Sequence, residues 1–94
     1  MVDALSGWWK VEYGGKTSYS AVLRNGTARK SQTAPRKPTD QAHGGASAYW
    51  FQDRNSITFA WKDSAEVEEW TISANDTVMT ATLNDIPGKI TKLF

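Results

Sequence analysis

Leu5-Ser6-Gly7-Trp8-Trp9-Lys10-Val11-Glu12-Tyr13 is the stretch on which the fold turns. Read with a period of two, Trp9, Val11 and Tyr13 share one face and Trp8, Lys10 and Glu12 the other. The first set is a core face. The second faces solvent or a ligand and carries one aromatic. An amphipathic strand of this kind needs a sheet to complete it, and the rest of the chain supplies further short strands. Gly14-Gly15-Lys16 follows at once as a turn, and its paired glycines relieve the positive-φ demand of a tight hairpin.

Beyond that turn, 17–24 reads as a second strand with Tyr19, Ala21 and Leu23 on one face. Asn25-Gly26 has the signature of a two-residue type I′ hairpin turn, returning the chain into a third strand over 27–31. Residues 32–46 hold Pro35, Pro38 and His43-Gly44-Gly45. Proline and glycine interrupt a ladder, so this is a long loop, expected to be the least ordered part of the chain. A fourth strand over 47–52 sets Tyr49 and Phe51 on one side and Trp50 on the other. A fifth over 56–62 alternates cleanly, with Ile57, Phe59 and Trp61 inward. A sixth over 65–73 places Glu68, Trp70 and Ile72 on one face, the favoured inward one. Ser64 and Glu68 also fit the spacing of a helix cap, but the strand is the better reading. Strands over 77–83, with Met79, Ala81 and Leu83 on one face, and over 89–94 complete the set.

About eight strands joined mostly by turns of two to four residues make an antiparallel meander, and a meander of that size closes on itself. The expected fold is all-β: a single-domain, small, antiparallel up-and-down barrel. The predicted inward set is Trp9, Val11, Tyr13, Tyr19, Leu23, Tyr49, Phe51, Ile57, Phe59, Trp61, Trp70, Ile72, Met79 and Leu83. Trp8 and Trp50 are assigned to the outer face.

Gly7-Trp8-Trp9 at the head of the first strand fits a Gly-x-Trp pattern that resembles the calycins, the group of lipocalins, fatty-acid-binding proteins and avidins. The segments Ala65-Glu66-Val67-Glu68-Glu69-Trp70-Thr71-Ile72 and Thr77-Val78-Met79-Thr80-Ala81-Thr82 are similar to the late strands of small bacterial lipocalin-like proteins. The resemblance implies that Trp9 plugs one end of the barrel and that a late basic residue, Lys92 or Lys89, packs across it. A later arginine and the further lipocalin motifs are missing.

Composition narrows the function. The 94 residues carry a formal net charge of +1 and no cysteine, which removes disulfides and thiolate chemistry. No apolar run approaches the roughly 20 residues of a membrane-spanning helix, and residues 1–5 have neither the basic region nor the apolar core of a secretory signal. A cytoplasmic protein without membrane contact is therefore expected. His43 is the one histidine, set in a glycine-rich loop. Asp63, Glu66, Glu68 and Glu69 cluster near one turn, where a charge run is expected to form a solvated face. No catalytic residue, metal ligand or cofactor is assigned. Arg24, Arg29, Lys30, Arg36 and Lys37 are positive with no acidic residue between them, but the small net charge argues against a dedicated nucleic-acid binder.

The favoured reading is a non-catalytic binding protein for a small hydrophobic or aromatic molecule held in the barrel. Tyr13, Tyr19, Tyr49, Phe59, Trp61 and Trp70 are the candidate ligand-binding residues. The alternative is a protein-interaction module with a filled core that forms a homodimer or larger oligomer, its basic loop meeting the acidic turn of another copy. Third comes a glycan or single-stranded nucleic-acid binder, with Trp8 and Trp50 as stacking platforms.

Overall fold

A computed structural model of the protein describes residues 5–42, 45–62, 64, 66–71, 79–83 and 86–94. The chain forms β1 (Gly7–Tyr13), β2 (Lys16–Val22), β3 (Thr27–Ser31), β4 (Ser47–Asp53), β5 (Ser56–Trp61), β6 (Val67–Thr71), β7 (Met79–Leu83) and β8 (Ile86–Lys92). Each strand pairs antiparallel with the next, and β8 returns to β1, so the sheet closes into a barrel. Closure removes the edges on which an open sheet would pair with another chain. Ile72 lies outside the described residues, as does His43. Among the described residues no helix is long and apolar enough to cross a membrane.

Cross-strand partners in an antiparallel ladder point to the same side of the sheet. Two-residue turns therefore carry the inward face from strand to strand. At Gly14-Gly15, Tyr13 pairs with Lys16, Val11 with Ser18 and Trp9 with Ser20. Since Trp9 and Val11 are buried in the core, Ser20 and Val22 must turn inward on β2, and both are buried. The expected inward positions of Tyr19 and Leu23 are thus corrected: Tyr19 is half-buried on the outer side and Leu23 is exposed. A similar correction holds on β4. Asp53 pairs with Ser56, which brings Trp50 opposite Phe59 and Ala48 opposite Trp61. Trp50 and Ala48 are buried, whereas Tyr49 and Phe51 face out. Trp50 donates its indole N–H to the Leu23 carbonyl at 2.9 Å.

The β2–β3 turn also differs from the expected type I′. Leu23 N–H bonds to the Thr27 carbonyl and Gly26 N–H to the Leu23 carbonyl, enclosing three residues. Gly26 alone of these has positive φ. This is the three-residue hairpin in which a turn is followed by a left-handed glycine. Asn25 serves it by side chain instead, its Oδ1 accepting from the Thr27 backbone N–H at 3.1 Å and hydroxyl at 2.6 Å.

The Gly-x-Trp segment has a clear structural basis. Gly7 has φ of 129°, and a Cβ there would meet the Phe94 carbonyl at 2.6 Å and the Lys92 side chain at 3.3 Å. Trp9 donates its indole N–H to the Leu5 carbonyl at 2.8 Å. Lys92, its partner in the β1–β8 ladder, holds Nζ 5.4 Å from the Trp9 ring centroid. Lys89 is exposed on the opposite face, so Lys92 is the basic residue that packs on Trp9. An all-antiparallel barrel with this first strand is consistent with a calycin-like fold.

Candidate functional site

The inward faces of β1, β5 and β6 converge on one carboxylate. Glu68 is 0 % exposed. Its Oε1 accepts the Trp61 indole N–H at 2.7 Å, and its Oε2 accepts the Tyr13 hydroxyl and the Trp70 indole N–H, each at 2.8 Å. A buried carboxylate without partners is prohibitive, and charge-assisted bonds offset its desolvation. Burial, followed by the neighbouring Glu68 charge, pushes the Tyr13 phenol well above its ordinary value. Tyr13 therefore stays protonated and donates.

Apolar rings enclose this cluster. Phe59 lies 4.5 Å from Trp70 and 6.0 Å from Trp61 between centroids, and Trp9 lies 5.4 Å from Trp70. Lys30 Nζ stands 4.6 Å over the Trp61 ring. Gly88 is paired with Tyr13, and a Cβ there would strike the Tyr13 ring, so the glycine makes room for the ring to cross β8 toward Glu68. Of the expected ligand-binding residues, Tyr13, Phe59, Trp61 and Trp70 come together here. Tyr19 and Tyr49 do not, because they lie on the outer face. The expected solvated face at the acidic turn is corrected as well: Glu66 and Glu69 are exposed, but Glu68 is a core residue.

Chemically the cluster is committed to itself. Each carboxylate oxygen already accepts a hydrogen bond and Glu68 is fully buried, while Tyr13 is half-buried. The cluster organises the barrel interior.

A second feature lies outside the barrel. Trp8, Ala21 and Arg29 form one row across β1, β2 and β3 on the outer face. The loop after β3 folds over this row. Arg36 N–H donates to Asp40 Oδ2 at 2.6 Å and Asp40 N–H to the Lys37 carbonyl at 3.1 Å, which shapes the loop into a compact turn. The Trp8 indole N–H then donates to the Asp40 carbonyl at 3.1 Å and ties that turn to the sheet. Trp8 is consequently only 2 % exposed, and Trp50 is also buried, so neither is the exposed stacking platform that was expected.

Between loop and sheet runs a groove of about 550 Å³, lined by residues including Trp8, Ala21, Leu23, Arg24, Arg29 and Pro38. Small Ala21 lies between two long side chains in the row and lines the groove. Sequence reasoning gave Trp8 a solvent- or ligand-facing side but missed this site because it treated the loop as a separate element. The available signal was the unbroken basic run from Arg24 to Lys37, which the fold brings partly to the groove.

No protein-family model matches the chain, and no curated protein or solved structure is significantly similar to it.

Proposed function

We propose that this protein is a non-catalytic binding protein for a small amphipathic molecule with an aromatic or aliphatic body and an anionic head, seated in the groove between the 32–42 loop and the outer face of β1–β3. In this reading the chain is a lipocalin-like barrel whose interior is taken up by its own aromatic side chains and whose ligand site lies under the loop.

The observation that carries the reading is the Trp8–Ala21–Arg29 row roofed by the loop. A volume of about 550 Å³ falls within the range typical of small-molecule sites. Its apolar lining suits a hydrophobic body, and the Arg29 guanidinium suits a carboxylate, sulfonate or phosphate head, the Asp40 carboxylate of the same lining being engaged by the Arg36 N–H.

Anilinonaphthalene sulfonate, an aromatic body with an anionic head, is the probe for a fluorescence titration. Saturable one-to-one binding is expected. Ala21→Leu should fill the groove and abolish binding, and Arg29→Glu should weaken it about tenfold, the loss of a charge-assisted bond of roughly 1.5 kcal/mol. Phe51→Glu, on the outer face of β4 but not among the residues that line the groove, should leave it unchanged. Binding that survives both groove substitutions, or that is lost with Phe51→Glu, refutes the proposal.

A further inference from the structure

The outer face of β4, β5 and β6 exposes large apolar side chains. Tyr49 is 50 % exposed, Phe51 63 % and Val67 60 %. Tyr49 pairs with Ala60 and Ala60 with Val67, so these three form one row across the strands. Phe51, Thr58 and Glu69 form the next row. On the other side of the first row, Lys62 N–H bonds to the Ser47 carbonyl, and Lys62 Nζ lies 4.6 Å over the Tyr49 ring. The patch is therefore an aromatic ridge on β4 beside a low strip of Ala60 and Thr58, with a cation on one side of the central row and an anion on the other.

We infer that this face is a symmetric self-association surface, its occupant a second copy of the same chain. Closure of the barrel disfavours association by strand addition, because every strand already has two neighbours. What remains is packing of one sheet face on another, about 10 Å apart. The charge arrangement selects a copy of the same face. Rotation by a half-turn about the Tyr49–Ala60–Val67 row exchanges the two sides of that row. It carries Lys62 of one copy to the side occupied by Glu69 of the other, one strand away, about 4.8 Å laterally. The same rotation pairs Glu69 with Lys62 reciprocally, as an isologous two-fold contact requires. Tyr49, Ala60 and Val67 then meet their own counterparts along the axis. This surface adjoins the groove, since Arg29 pairs with Ser47 on β4, but shares none of its lining residues.

Sedimentation velocity over a concentration series, from about 1 µM to about 1 mM, spans weak to moderate dimer affinities. A reversible monomer–dimer equilibrium is expected. Phe51→Glu and Val67→Glu, both at exposed positions, should leave folding intact and abolish the dimer. Lys62→Glu and Glu69→Lys should each weaken it roughly tenfold, since two symmetric contacts turn repulsive. The double variant K62E/E69K should restore it to within about twofold, because the swap preserves complementarity across the axis. A species that stays monomeric throughout, a dimer indifferent to Val67→Glu, or a double variant no better than either single one overturns the inference. Unchanged probe binding by Val67→Glu keeps this result separate from that of the groove.

Discussion

Glu68→Gln tests the organisation of the barrel interior most directly. The carboxylate offers acceptors on both sides and takes three donors, the Trp61 and Trp70 indoles and the Tyr13 hydroxyl. A glutamine of nearly the same shape offers one carbonyl oxygen and one NH₂. Whichever way the amide turns, its NH₂ confronts an indole N–H that cannot accept from it. The better orientation puts the carbonyl at the Oε2 position, keeps Tyr13 and Trp70, and strands Trp61. A buried donor left without a partner costs about 1–3 kcal/mol. The two retained bonds weaken as the charge is lost, while removal of a buried charge offsets part of that loss. The net expectation is destabilisation of about 2 kcal/mol, with a melting temperature lower by roughly 8–16 °C for a domain of this size. Glu68→Leu strands all three donors and should cost more, about 3–5 kcal/mol by comparison with broken buried ion pairs.

Urea unfolding followed by tryptophan fluorescence gives both values, provided the slope with denaturant is unchanged. A double-mutant cycle sharpens the test. Trp61→Phe removes the donor that glutamine strands, so Glu68→Gln should cost about 1–2 kcal/mol less in that background. The opposite outcome has a clear physical meaning. If Glu68→Leu matches or exceeds the wild type, the carboxylate is a net burden that apolar packing can replace. An additive cycle would show that Trp61 and Glu68 do not depend on each other. Either result refutes the account given for this cluster.

Three further outcomes are expected. Because burial and Glu68 raise the Tyr13 pKa in the folded state, the unfolded chain loses this proton first as the pH rises past about 10. The resulting loss of stability above that point, reduced by the phenol's partial exposure, should be smaller in Tyr13→Phe; an unchanged alkaline profile of urea midpoints would count against the half-buried phenol. Gly88→Ala places a methyl group against the Tyr13 ring and the Glu12 carbonyl, so a loss of about 1–3 kcal/mol is expected from overpacking, and a neutral result in the same unfolding assay would mean that the ring has room to move. Ser20 is fully buried and its hydroxyl has no hydrogen-bond partner among the described residues; Ser20→Ala should therefore raise stability by about 1 kcal/mol, and a drop of that size would reveal an unseen partner.

The sequence made the barrel legible, and it held the correct facing as well, in a form that strand-by-strand reading does not extract. Judged singly, β2 presents Tyr19 and Leu23 against Ser20 and Val22, and hydrophobicity favours the wrong face. Judged with β1, the two-residue Gly14-Gly15 turn leaves no choice, because Trp9 and Ser20 are partners. The same argument runs backward from the clear alternation of Ile57, Phe59 and Trp61 through the Arg54-Asn55 turn, which forces Trp50 inward and turns Tyr49 and Phe51 out. A slip of one residue reverses every side chain of a strand, so parity carried through short turns outweighs the apolar count of any one strand. The 32–46 segment breaks that transfer, since a long loop transmits no register, and there the facing of β4 has to come from β5. Glu68 was legible in its inward facing on the sixth strand but not in its role. In the linear sequence it is one acid among several at a turn, and a solvated face is the usual fate of such a run. Its neighbours Glu66 and Glu69 do face solvent. What distinguishes Glu68 is its pairing opposite inward Phe59, within reach of two indoles and a phenol that need an acceptor. Buried tryptophan and tyrosine bring polar hydrogens that demand partners, so a core this rich in both calls for a buried acceptor. Inward parity on β6 makes Glu68, alone of the acids on that strand, the one that answers it.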